Sequence, residues 1–131
     1  MSAMLVIGLG MDLVDMERFE SAWKRRKASM SRRIFTEGEL AYCLKRRRPA
    51  MHLAARLAAK EAAFKALSGS DEARSIGWRE VEVVPRVGHG PMLVFRGRAE
   101  ERARHLKVGQ VWLSLTHTDA TAGAVVVLER A

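Results

Sequence analysis

The stretch RLAAKEAAFKAL, residues 56–67, decides how this sequence must be read. It contains neither Pro nor Gly, and Ala, Leu and Lys give it strong helical propensity. The predicted helix runs from residue 51 to 67. At about 100° per residue, Leu53, Leu57, Phe64 and Leu67 form one stripe, and alanines 54, 55, 58, 59, 62 and 63 form a second, low-profile face. Little circumference is left for water, so a buried helix is expected. Glu61 and Lys65 form an i, i+4 pair, which on an exposed helix is worth only roughly 0.2–0.5 kcal/mol. On this wheel, however, Lys60 falls inside the leucine stripe with Glu61 beside it. A desolvated carboxylate is costly unless a cation or a metal compensates it, which points to a site.

The 131 residues are 48% apolar, enough for one core, and a single domain over 1–131 is expected. No apolar run of about 18 residues occurs, and the opening residues lack the basic and cleavage features of a signal peptide. The expectations are a cytoplasmic protein and no membrane association. Cys43 is the single cysteine, which excludes an internal disulfide and a multi-cysteine zinc site. It reads as an apolar helix residue beside Leu40 and Leu44. The net charge of +8 is concentrated in residues 24–48, which hold ten Lys or Arg against Glu37 and Glu39. Such a patch expects a polyanion: nucleic acid, a phosphorylated small molecule or an acidic protein. Interleaved aromatics, zinc-finger spacing and an RNP-type strand are all missing, so a nucleic-acid-binding module without catalysis is the alternative and not the expectation.

Residues 4–13 read as a strand with Leu5, Ile7, Leu9, Met11 and Leu13 on one face and Gly8, Gly10 and Asp12 on the other. The acid stands next to two missing side chains, where a backbone or ligand can approach. The GLG is no dinucleotide fingerprint, because Asp replaces the third glycine and no βαβ repeat follows. Asp15 caps a helix with Met16, Phe19 and Trp23 on one side. Thr36 and Glu39 form a capping box opening a second helix, which Pro49 is expected to end. Residues 68–75, SGSDEARS, read as a loop. Residues 78–84 and 92–95 are predicted strands around a turn containing Gly88, His89, Gly90 and Pro91, followed by a charged helix over 99–106. Strands over 111–116 and 122–128 form a hairpin through HTDAT. The predicted class is α+β, an antiparallel sheet packed against the long helix, with the N-terminal strand joining the later sheet.

Asp12 and Glu61 on rigid elements suit magnesium, which takes one or two carboxylates and leaves the rest of its shell to phosphates and water. A glycosidase-like acid and base would use the same residues, but Arg47, Arg48, Arg56, Lys60 and Lys65 favour phosphate, since a neutral sugar needs no cationic clamp. His117 stands at a strand end. His52 and His105 have weaker claims, and His89 lies in a glycine turn.

IGLGMDLVDMERF, RIFTEGEL, ARLAAKEAAFKAL and LSLTHTDATAGAVVVLE resemble, in order and over nearly the whole chain, the holo-acyl-carrier-protein synthase family of small bacterial 4′-phosphopantetheinyl transferases. The resemblance implies transfer of phosphopantetheine from coenzyme A to a serine of an acidic apo acyl carrier protein, in fatty-acid synthesis or in a polyketide or peptide pathway. It implies Asp12 and Glu61 as magnesium ligands and Lys65 as the neutraliser of phosphate charge. Arg56 corresponds to a coenzyme-contacting stretch and Arg47 and Arg48 to residues near the 3′-phosphate. Thr116 and His117, with Gly90 and Pro91, correspond to the nucleotide pocket. It further implies a homotrimer with sites between subunits, one supplying Asp12 and Glu61 and its neighbour His117. Arg18, Lys24, Arg25 and Arg26 would dock the carrier protein.

Overall fold

The computed structural model describes residues 5–130. Met4, the expected first residue of the opening strand, lies outside them. The chain runs β1 (Leu5–Asp15), α1 (Met16–Arg33), α2 (Glu37–Cys43), α3 (Pro49–Ala66), α4 (Asp71–Arg74), β2 (Val81–Arg86), β3 (His89–Phe95), α5 (Gly97–His105), β4 (Val108–His117) and β5 (Thr121–Arg130). The fold is α+β with two antiparallel sheets: β1-β5-β4, and the β2-β3 hairpin. The N-terminal strand joins the C-terminal hairpin as expected, with Asp12 opposite Ala124 and Leu9 opposite Val127.

The sheet meets α3 through small residues. Ala58, Ala59, Ala62 and Ala63 are fully buried in one cluster with Ala124, Val126 and Leu128 of β5. A Cβ on Gly10 would fall on the Ala62 carbonyl oxygen, and one on Gly8 on that of Ala66. Glycine there lets strand and helix backbones touch, and that approach carries Asp12 towards the helix. A second cluster gathers Met16, Phe19, Trp23 and Met30 of α1 with Phe35, Cys43 and Leu53. The Asp15 carboxylate accepts from Arg18 N at 2.9 Å and starts α1. Burial pushes the Cys43 thiol up to about 11, which keeps it an unreactive core residue.

Several boundaries differ from the sequence expectation. Pro49 does not end α2, which closes at Cys43. It opens α3, where a residue without an N–H costs nothing and its fixed φ suits the first turn. Trp78–Glu80 form a 3₁₀ turn before the strand. The Glu80 carboxylate folds back to accept from Gly77 N at 2.7 Å and Arg98 N at 2.6 Å, so this segment is held as a turn. His89, Gly90 and Pro91 belong to β3, and the turn shrinks to Val87 and Gly88, with Gly88 at φ 73°. The loop over 68–75 contains the single turn α4.

The opposite face of the three-stranded sheet is bare. Leu9, Met11 and Leu13 are 64%, 59% and 64% exposed, and Trp112 of β4 is 54% exposed.

Candidate active site

Asp12 lies on the same side of β1 as Gly8 and Gly10, and its side chain is only 13% exposed. Lys65 Nζ reaches across from α3, donating to Met11 O at 2.9 Å and to Asp12 Oδ1 at 3.1 Å. Glu61, one turn earlier on α3, faces the same acid. Burial pushes its carboxyl up to about 7, the Asp12 carboxylate adds to the rise, and Lys65 opposes it. Asp12 Oδ2 is buried and, apart from the facing Glu61 carboxyl, has no hydrogen-bond partner. A buried carboxylate oxygen facing a second carboxylate is a pair of hard donors that a divalent ion would satisfy. Among the described residues no cluster of three or more His, Cys, Asp or Glu is arranged for a metal. Two protein ligands with the remainder left to phosphate and water fit magnesium better than zinc.

Glu61 also lines an open groove of about 780 Å³ between α1 and the β1–α3 contact, with Arg18, Phe19, Arg25 and Leu57. Two of the four basic residues expected to dock a partner thus line the same groove as Glu61. Lys24 and Arg26 are exposed on the same helix and do not line the groove, and Arg26 departs from helical geometry (φ −127°, ψ 25°).

Arg56, Pro91 and His117 converge elsewhere, in a pocket of about 230 Å³ shared with Tyr42, His52, Arg86 and His89. Arg56 is only 4% exposed; its guanidinium lies 4.6 Å from the Tyr42 ring centroid, and its Nε has no hydrogen-bond partner. Its Nη1 donates to His52 O at 3.4 Å. Arg46 stacks on the same ring at 3.9 Å. Burial holds His52 below its ordinary range, with Arg56, Arg46 and His117 pushing the same way. A pocket that crowds cations and leaves a buried guanidinium nitrogen unpaired suits an anion. Gly90 is placed by its carbonyl, which accepts from Arg86 Nε at 2.8 Å.

The other expected residues are dispersed. Thr116 pairs with Gly123 and His117 with Ala122, so strand alternation sends Thr116 to the bare face and His117 to the pocket side. Arg48 pairs with the exposed Asp119 at 3.1 Å, linking the segment before α3 to the HTDAT turn, and Arg47 is exposed beside it. Lys60 is not among the phosphate-facing cations. It is wholly buried, 2.8 Å from the Glu39 carboxylate. The sequence reading passed over Tyr42 and Arg86 and ranked His52 and His89 low. The available signal was Tyr42, the single tyrosine of the chain, placed just before a run of four basic residues.

Fold and site together describe an α+β protein equipped for phosphate chemistry. A family model described as the 4′-phosphopantetheinyl transferase superfamily matches residues 8–125. The holo-[acyl-carrier-protein] synthase of Moorella thermoacetica is 42% identical over 120 residues, covering 92% of this chain and 91% of the relative. That of Geobacter sp. strain M21 is 40% identical over 126 residues, covering 96% and 100%. Among solved structures, a holo-(acyl-carrier-protein) synthase from Bacillus anthracis in complex with CoA (3′,5′-ADP) aligns with TM-score 0.76 and 29% identity over 98% of this chain and 100% of its own. The chain belongs to the 4′-phosphopantetheinyl transferase superfamily.

Proposed function

We propose that this protein transfers the 4′-phosphopantetheine group from coenzyme A to a serine hydroxyl of an apo acyl carrier protein. The serine hydroxyl gives up its proton to solvent as its oxygen forms a new bond to the phosphorus that bears the pantetheine arm. The pyrophosphate P–O bond breaks, and adenosine 3′,5′-bisphosphate leaves with the bridging oxygen. The observation that carries this reading is the convergence of Asp12, Glu61 and Lys65, from two elements far apart in sequence, around one buried carboxylate oxygen. Membership of the superfamily, and a relative bound to coenzyme A, supply the substrate class.

Asp12 and Glu61 would hold magnesium, which when bound supplies charge neutralisation at the diphosphate. Lys65 places a cation beside that acidic pair and stabilises charge developing on the transferred phosphoryl group. Arg56 and His117 hold the nucleotide end in the cationic pocket, aided by Gly90 and Pro91. Arg47 and Arg48, on the segment before α3, would supply cations for the nucleotide's 3′-phosphate, and Thr116, on the bare sheet face, would contribute where subunits meet. Arg18 and Arg25, with Lys24 and Arg26, receive an acidic carrier protein over the groove. The assembly is a homotrimer in a cytoplasmic setting, with each site completed between subunits. Two features support it: Glu61 and the Arg56–His117 pair line different cavities of one chain, and one sheet face is bare and apolar.

The direct test incubates the protein with coenzyme A, magnesium and an apo carrier protein. The expected result is a mass gain of one phosphopantetheine arm on the serine, lost on chelation and in Glu61→Gln or Asp12→Asn. A folded variant of either kind that keeps near wild-type turnover would remove the metal assignment.

A further inference from the structure

The β2-β3 hairpin exchanges no strand-ladder hydrogen bonds with β1, β5 or β4. Yet it brings Arg86, His89 and Pro91 into the pocket whose other wall holds Tyr42 and Arg56. Its polar attachment to the helical layer centres on one buried ion pair. Glu39 Oε1 accepts from Lys60 Nζ at 2.8 Å and from Thr36 N at 2.9 Å, and Glu39 Oε2 accepts from Val83 N at 2.8 Å. Lys60 Nζ also donates to Trp78 O at 3.0 Å and Val81 O at 2.5 Å. All three ammonium donors and both carboxylate oxygens are therefore used. Beside them Thr36 Oγ1 donates to Glu82 Oε2 at 2.6 Å, the next residue of the same strand.

Stability alone does not call for such a pair, because well-packed apolar residues in place of a buried salt bridge are often as stable or more so. An apolar pair cannot, however, select particular backbone atoms. These bonds specify the carbonyls of Trp78 and Val81 and the N–H of Val83. Sliding the strand by one residue would leave two of the ammonium donors and one carboxylate oxygen buried without partners. The three elements pinned at this point, α2, α3 and β2, are those that present Tyr42, Arg56 and Arg86 to the pocket.

We propose that Glu39 and Lys60 are positioning residues for coenzyme binding: their buried pair fixes the separation of the hairpin wall from the Tyr42–Arg56 wall. The inference rests on the cationic pocket being the coenzyme site.

The test compares Glu39→Gln, Lys60→Met and the double variant, measuring urea midpoints together with kcat and KM for coenzyme A. The single variants bury an uncompensated charge and lose stability. The double variant removes both charges and regains most of it. Its KM for coenzyme A should nevertheless stay about tenfold raised, with kcat within about twofold and KM for the carrier protein unchanged, as for loss of a supporting shell. Glu39→Asp keeps the charge but is too short to serve all three donors, and the same rise is expected; it provides the measurement if the double variant does not fold. A wild-type KM for coenzyme A in whichever of these is folded would overturn the positioning role. Arg56→Ala and His117→Ala separate this from the parent reading. If they leave the KM unchanged, the pocket is not the coenzyme site; if they raise it while the double variant does not, positioning alone fails.

Discussion

At Glu61, burial and the facing Asp12 carboxylate raise the carboxyl from 4.5 to about 7, against the pull of Lys65. The native, metal-free protein therefore holds this proton to higher pH than the unfolded chain does. The resulting contribution to stability is fully present below 4.5 and is lost as pH rises through about 7. Thermal unfolding of the metal-free protein should show a midpoint falling across that window, and Glu61→Gln should flatten the fall. Magnesium competes with the same proton, so its binding should strengthen as pH rises through about 7, measured by calorimetry. Equal pH slopes in wild type and variant would show that Glu61 is not the titrating group. The acidic pair was legible in sequence because a carboxylate on an apolar wheel and another beside two glycines both need compensation. Lys60 was misplaced for a physical reason: the wheel shows that it is buried, but its partner Glu39 comes from another helix, and no local pattern reports that meeting. The cationic pocket was half legible, since Arg56 and His117 stand on strong elements while His89 and Arg86 depend on the hairpin register.

Elements were readable where termini carry their own chemistry. The Asp15 cap and the Thr36–Glu39 box are both formed, and hydrophobic period identified α1, α3 and the strands. Pro49 misled because proline marks a helix start as readily as a stop, and only the chain geometry before it, with Leu44 closing α2, decides which. The spacing of β1 from α3 is the element-scale feature on which the site depends. Gly10→Ala would drive a Cβ into the Ala62 carbonyl, and backbone does not yield as a flexible side chain can. Overpacking of this kind costs about 1–3 kcal/mol, to be read from urea unfolding. The strand must move outward, taking Asp12 from Lys65 and Glu61. The expected outcome is a folded variant whose magnesium requirement rises at least about tenfold and whose kcat falls. A stable Gly10→Ala protein with unchanged metal dependence would show that this close contact does not set the acidic pair.

At the scale of the molecule, the three-stranded sheet has two apolar faces and only one is covered by α3. On the bare face Leu9 pairs with Val127 and Met11 with Val125, and Trp112 lies across Val127 from Leu9, so the exposed side chains form a contiguous surface and not scattered singles. Strand β1 is also an edge of its sheet, a position that native proteins cover or blunt. The bare face is covered if copies of the chain meet through it, as in the proposed trimer. The consequence for the proposed function is specific: Glu61 lines one cavity of the chain and the Arg56–His117 pair another, and in the proposed trimer the ligand would span cavities of neighbouring subunits. Leu9→Asp combined with Met11→Asp places two charges on the bare face, at side chains that do not line the Glu61 groove. Sedimentation should then report a smaller particle with unchanged far-ultraviolet circular dichroism. Transfer from coenzyme A should fall by at least about a hundredfold, about 2.7 kcal/mol of transition-state stabilisation. The wild-type protein should lose specific activity on dilution in parallel with dissociation. A double variant that sediments like the wild type would clear this face of any role in assembly. One that is monomeric and fully active would place the entire catalytic apparatus within a single chain.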